Sequence, residues 1–237
     1  MIKVENLTKK YGKFSALKDV NLEVKEKECF TLLGFNGAGK TTFINVVTST
    51  IPFDTGKVFV NGLDLQKNKT EIKKIINVSP QESAVVKNLT VEENLKLIAN
   101  LYDLDNVDVE VDNIIDTFDL KEKRKVLAKK LSGGQIKRLS IALAVITKPK
   151  ILFLDEPTLG LDVLARRKLW ELIERLKKTM TIFLTTHYLE EVERLTDRIG
   201  IISKGSVKCV GTLEEILKLT GCNNLEDAFI KLSEESL

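Results

Sequence analysis

The chain has 237 residues, 43% of them apolar, enough to fill the core of one large domain or of a domain with a sizeable insertion. Its 37 basic and 34 acidic residues leave a net charge of +3, too small an excess to make nucleic acid a partner. Cys29, Cys209 and Cys222 lack any C-x-x-C spacing, which sets aside zinc, iron–sulfur and disulfide-scaffold readings and fits a reducing compartment.

The N-terminus opens directly on alternating residues without an apolar leader. No stretch reaches the roughly 18 apolar residues that cross a bilayer, so any membrane span is expected from another chain. Short branched apolar runs predict strands over 2–7, 20–24, 29–33, 57–60 and 75–78, with a helix over 42–47. Between Pro80 and Leu131 no strand pattern appears. Thr90-Val91-Glu92-Glu93 is a capping box opening a helix toward Tyr102, and a second helix is expected over 109–118. The basic run Lys121, Lys123, Arg124, Lys125, Lys129 and Lys130 reads as a solvated helix face or loop. Further on, helices over 136–146 and 163–176 alternate with strands over 151–154, 181–185, 199–203 and 206–210. Lys204-Gly205 reads as a hairpin turn, so part of the sheet is antiparallel, and Thr212-Leu213-Glu214-Glu215 caps another helix. The alternation places the chain in the α/β class.

Gly34-Phe35-Asn36-Gly37-Ala38-Gly39-Lys40-Thr41 fits G-x-x-x-x-G-K-[ST] between a predicted strand and a predicted helix. Glycines in such a loop let consecutive N–H groups turn toward phosphate oxygens, and the helix N-terminus beyond adds its positive dipole end. Phosphate contacts are therefore expected from Gly34, Asn36, Gly37, Ala38, Gly39, Lys40, Thr41 and Thr42. Lys40 is placed to reach the β and γ phosphates of ATP and the Thr41 hydroxyl to ligate Mg2+. Ile151-Leu152-Phe153-Leu154-Asp155-Glu156 is an apolar strand ending in two acids. Such a strand delivers its last residues to the sheet edge where nucleotides bind, with Asp155 holding Mg2+ through water and Glu156 acting as general base.

Leu131-Ser132-Gly133-Gly134-Gln135, followed by a helical run, resembles the signature of the ATP-binding cassette (ABC) ATPases. As a local structure it is also a Gly-Gly turn with Ser132 capping a helix, and both readings make the helix start an anion site. The resemblance spans nearly the whole chain. It implies an α/β P-loop NTPase fold: an ABC ATPase core at 1–80 and 136–237, with a mixed sheet, an N-terminal antiparallel sheet and C-terminal helices. An inserted α-helical signature subdomain is implied at 81–135. Tyr11 resembles the aromatic that stacks on adenine, although a tyrosine there also serves packing or surface. Gln81 resembles the glutamine that reaches Mg2+ and the attacking water. His187 resembles the histidine that contacts the γ phosphate. Asp162 resembles the aspartate crossing the dimer seam, or simply caps the helix after it.

The family pattern implies two ATP molecules sandwiched between two chains, Ser132, Gly133, Gly134 and Gln135 of one facing the phosphate loop of the other. It further implies a homodimer or paired ABC subunit, and a peripheral place at the inner face of the cell membrane beside a separate transmembrane permease. Ile136 stands where many members carry a polar residue, and 141–144 lacks a frequent arginine. With Gly160, Tyr188-Leu189-Glu190-Glu191-Val192-Glu193 and Leu225-Glu226-Asp227-Ala228-Phe229, these departures resemble the branch serving ABC-2 type exporters. A soluble ABC ATPase of cofactor assembly and a regulatory ATP-binding module are the alternatives.

Overall fold

The computed structural model describes residues 1–234, and the last three residues of the expected core segment 136–237 lie outside the described residues. The chain opens on a long antiparallel hairpin, β1 (Ile2–Tyr11) and β2 (Phe14–Val24). Both strands run longer than the apolar pattern predicts. Asn6 and Asp19 take left-handed φ values of 49° and 47°, and the register shifts between Val4 and Leu7. Polar side chains tolerate that conformation, so the strands pass through a bulge where the alternation breaks.

Next come β3 (Cys29–Leu33), α1 (Lys40–Val47), β4 (Thr55–Val60), β5 (Leu63–Asp64), α2 (Lys69–Lys73) and β6 (Ile76–Ser79). A helical stretch follows, with α3 (Val91–Leu101), α4 (Val107–Thr117) and α5 (Gly133–Val145). The chain then alternates β7 (Ile151–Asp155), α6 (Val163–Leu176), β8 (Thr181–Thr186), α7 (Leu189–Leu195), β9 (Arg198–Ser203) and β10 (Ser206–Gly211), and continues into α8 (Leu213–Thr220) and α9 (Leu225–Glu234).

Two sheets result. One is antiparallel in the order β2-β1-β4-β5; the other runs β10-β9-β3-β8-β7-β6, with only the β9–β10 pair antiparallel. The β9–β10 turn carries positive φ at both Lys204 and Gly205, the geometry that matches strand twist in a two-residue hairpin. Strands β3, β7 and β8 are buried along their whole length, which is why they read as unbroken apolar runs. Phe183 lies at their centre, with ring centroids 5.5 Å from Phe30, 5.2 Å from Phe43 and 5.5 Å from Phe153. These parallel strands deliver their carboxyl ends to one edge of the sheet, the position where ligands of open α/β sheets bind.

In the helical stretch the capping box forms as the sequence predicts: the Thr90 N–H donates to Glu93 (2.8 Å) and the Glu93 N–H to Thr90 Oγ1 (3.2 Å). The basic run is largely exposed, as read, with Lys121, Lys125, Lys129 and Lys130 facing solvent, but it also makes ion pairs with the helices. Arg124 Nη2 lies 2.9 Å from buried Glu92 on α3 and its Nη1 2.6 Å from Asp112 on α4, while Lys125 also pairs with Glu92. These cations hold the Glu92 carboxyl well below the usual carboxylate range. Among the described residues, no helix is long and apolar enough to cross a membrane.

Candidate functional site

The loop after β3 is shaped by its glycines. The Gly39 backbone has φ +110°, and a Cβ there would stand 2.7 Å from the Ala16 carbonyl oxygen, so no other residue fits without a backbone shift. Helix α1 starts immediately afterwards with no side-chain cap, which leaves its first amides free of intrahelical partners. The Gly34 and Ala38 amides are already committed, to Thr186 O (3.2 Å) and Phe35 O (3.1 Å). Neither residue lines the cleft beside the loop.

Lys40 is buried, and its ammonium donates to the carbonyls of Gly34 (2.7 Å) and Phe35 (3.1 Å). It also lies 3.0 Å from Glu156 Oε1. The other oxygen of Glu156 is 2.9 Å from His187 Nδ1, so one buried carboxylate is bracketed by an ammonium and an imidazole. Glu156 takes a left-handed φ of 46°, with its N–H donating to Thr185 O at 3.1 Å. A non-glycine residue held there is strained, and such strain gathers where a side chain must be aimed. One step earlier, Asp155 accepts from Thr41 Oγ1 (2.9 Å) and from Thr185 Oγ1 (2.5 Å).

A cleft of about 490 Å³ joins Tyr11, Asn36, Gly37, Gly39, Lys40, Thr41, Thr42, Gln81 and Glu156. Tyr11 is half exposed at the tip of the β1–β2 hairpin, where exposed Phe14 pairs with it and adds a second aromatic wall. The remaining predicted residues lie elsewhere. Ser132 caps α5, its N–H donating to Gln135 Oε1 (3.0 Å) and its hydroxyl accepting from the Gln135 N–H (3.4 Å). Asp162 caps α6, accepting from the Ala165 N–H at 2.8 Å. Ser132, Gly134, Gln135 and Asp162 line a separate hollow of about 300 Å³ that shares no residue with the first. Gly134 sits where the two helix starts meet: a Cβ there would come within 2.8 Å of the Ala165 Cβ.

Sequence reasoning missed Phe14, Thr185 and two buried ionisable groups behind the acids. Glu191 on α7 is wholly buried, and burial pushes its carboxyl up to about 7. Lys137 on α5 is also buried, and burial pulls its ammonium down to about 8. Phe14 had one legible signal, the exposed aromatic two residues beyond Gly12 in a turn; the other three depend on contacts across the fold.

A sequence profile described as ABC transporter matches residues 17–159. The chain is 37% identical over 224 residues to the linearmycin resistance ATP-binding protein LnrL of Bacillus subtilis, a match covering 93% of this chain and 72% of that protein. The chain belongs to the ABC transporter family. It is also 37% identical over 217 residues to the human phospholipid-transporting ATPase ABCA3, covering 89% of this chain and 13% of that protein's length. Among solved structures, an ATP-binding subunit of an ABC transporter superposes with a TM-score of 0.88 at 29% identity, covering 99% of this chain and 100% of that one. A dimeric post-hydrolysis state of the ATP-binding cassette MJ0796 bound to ADP and Pi gives a TM-score of 0.81 at 27% identity, covering 90% and 99%. The sequence-based expectation of an ABC ATPase is met: this chain is an ATP-binding, ATP-hydrolysing cassette of that family.

Proposed function

We propose that this cassette is the energy-coupling subunit of an ABC-2 type exporter. It works as a homodimer or beside a paired ABC subunit, held at the cytoplasmic face of the cell membrane by a separate transmembrane permease. Residues 1–80 and 136–237 form the catalytic core, and 81–135 the helical signature subdomain that meets the permease. Support for export comes from the names of two relatives, one concerned with linearmycin resistance and one with phospholipid transport.

The observation that carries the catalytic reading is the Glu156 carboxylate held between Lys40 and His187 at the mouth of the phosphate loop. Phosphate oxygens attract the Lys40 ammonium more strongly than backbone carbonyls do, so ATP draws Lys40 toward its β and γ phosphates. Glu156 is then free to take a proton from the attacking water, while His187 contacts the γ phosphate. Tyr11 stacks on adenine, and the amides of Asn36, Gly37, Gly39, Thr41 and Thr42 face the phosphates. Thr41 Oγ1 and Asp155 supply oxygen donors 2.9 Å apart, and among the described residues no cluster of three or more His, Cys, Asp or Glu is placed to hold a metal. That sparse set fits Mg2+, which takes one or two protein ligands and completes its shell with phosphate and water; Gln81 faces the same cleft. When bound, the ion neutralises charge on the phosphate oxygens. Ser132, Gly133, Gly134, Gln135 and Asp162 serve the cleft of the opposite chain.

Glu156→Gln should retain nucleotide binding and lose ATP turnover by roughly 10²-fold or more, the usual contribution of a general base. Turnover near the unaltered rate contradicts the assignment. For export, a tagged full-length chain should be recovered from membranes with a multi-span subunit; recovery only with soluble assembly proteins contradicts a transport role.

A further inference from the structure

We propose that Lys137 is a positioning residue for Gln81, a strut by which the signature helix α5 fixes the Gln81 segment at the nucleotide cleft of its own chain. The inference rests on the reading of Gln81 as a contact of the nucleotide site. Helix α5 begins at Ser132, in the hollow assigned to the opposite chain, and Lys137 projects from its next turn. The buried ammonium donates to Pro80 O (2.9 Å) and Gln81 O (3.1 Å), its hydrogen-bond partners among the described residues.

An ammonium withdrawn from water without a directly paired carboxylate is costly, and an apolar side chain would fill a helix–sheet contact more cheaply. The carbonyls it holds belong to the residues where the chain leaves β6. Ser140, three residues further on α5 and therefore on the same face, meets Ser79 with the two hydroxyl oxygens 3.1 Å apart. Two adjacent anchors thus tie one helix face to Ser79, Pro80 and Gln81 in succession. Gln81 lines the cleft with Lys40 and Glu156. A shift of α5 as its capped start engages a second chain is therefore passed directly to Gln81, which links the two nucleotide sites of a pair.

The groups facing the ammonium are Asp155 and Glu156 at the end of β7 and Glu191 on α7, all of which favour its charged form. A charged donor holds a carbonyl more strongly than a neutral one, which suits a lysine to this contact.

The test compares steady-state ATP turnover and KM for the full chain and for Lys137→Met, Lys137→Arg, Gln81→Ala and the Lys137→Met/Gln81→Ala pair. Methionine keeps the apolar stem and removes the donor; arginine keeps the charge. Lys137→Met should lower kcat about tenfold or more, the cost of a misplaced group, with KM for ATP within about threefold. The pair should lose no more than Gln81→Ala alone, because both changes remove one function. Lys137→Arg, which keeps a charged donor of similar reach, should restore most of kcat.

Unaltered turnover in Lys137→Met beside an impaired Gln81→Ala overturns the inference, and so do losses that multiply in the pair. Unaltered turnover in Gln81→Ala overturns the reading of Gln81 itself and the strut with it. If Lys137→Met does not fold, Lys137→Arg decides: a folded Lys137→Arg whose turnover is as low as that of Gln81→Ala overturns the inference.

Discussion

Glu191 offers the clearest magnitude in the structure. Its side chain is wholly buried on α7, with Oε1 accepting from the Trp170 indole at 3.3 Å and Oε2 lacking a hydrogen-bond partner among the described residues. Burial raises its carboxyl from 4.5 to about 7. Below 4.5 the group is protonated in both folded and unfolded chains and costs nothing. Between 4.5 and about 7 the unfolded chain releases the proton while the folded chain keeps it, so this group makes stability fall as pH rises. At roughly 1.4 kcal/mol per pH unit the full penalty, reached above pH 7, is about 3 kcal/mol. Glu191→Gln keeps the acceptor for Trp170 and removes the titration. Urea unfolding at several pH values measures this directly, because Trp170 is the only tryptophan and its fluorescence reports on the pair. The stability of the variant relative to the unaltered chain should grow by about 3 kcal/mol between pH 4.5 and 7.5. A stability difference constant across this range refutes the reasoning, since any pH-independent effect of the substitution cancels in the slope.

Other sites give further outcomes. Thr185→Val removes the hydroxyl that donates to Asp155 while leaving β8 packed. It should cost about 1–3 kcal/mol in urea unfolding, as for a buried group left without its partner, and lower ATP turnover. Gly39→Ala places a Cβ 2.7 Å from the Ala16 carbonyl oxygen at φ +110° and should lower Tm and abolish binding of a fluorescent nucleotide. Ser132→Ala should cost about 1 kcal/mol as a lost helix cap. If Ser132 also contacts ATP across a dimer, turnover falls far more than that stability loss accounts for; a turnover loss no larger than the fraction unfolded reduces Ser132 to a cap.

The legible parts of the sequence were those where local chemistry leaves no choice. Gly34 to Thr41 announced a phosphate loop because only glycine suits its backbone, and the capping boxes at Thr90, Ser132 and Thr212 all form with the residues that spell them. The buried strands β3, β7 and β8 were legible as apolar runs. The first strand runs on past its apolar pattern through the polar run Thr8-Lys9-Lys10, and the second begins before left-handed Asp19, which interrupts the alternation without ending the pairing. Helices α2 and α7 were not predicted; they have five and seven residues, too few turns for a periodic pattern to stand out. Glu191 is one of three acids in the segment Tyr188 to Glu193, and nothing local says that its carboxyl is buried against Trp170. The pairing of Arg124 and Lys125 with Glu92 is not legible because Glu92 lies more than 30 residues away. The ties of Thr185 to Asp155 and Lys137 to Gln81 likewise join residues 30 and 56 positions apart. Only the fold brings such residues together.

The central claim is that the Lys40 cleft of one chain is completed by Ser132 to Gln135 of another. Light scattering of Glu156→Gln at saturating ATP and Mg2+ tests it most directly, because that variant should bind nucleotide and stall before hydrolysis reopens the pair. The mass of two chains with ATP, reverting to one chain when nucleotide is removed, is the predicted result. A single-chain mass at saturating ATP contradicts the shared site.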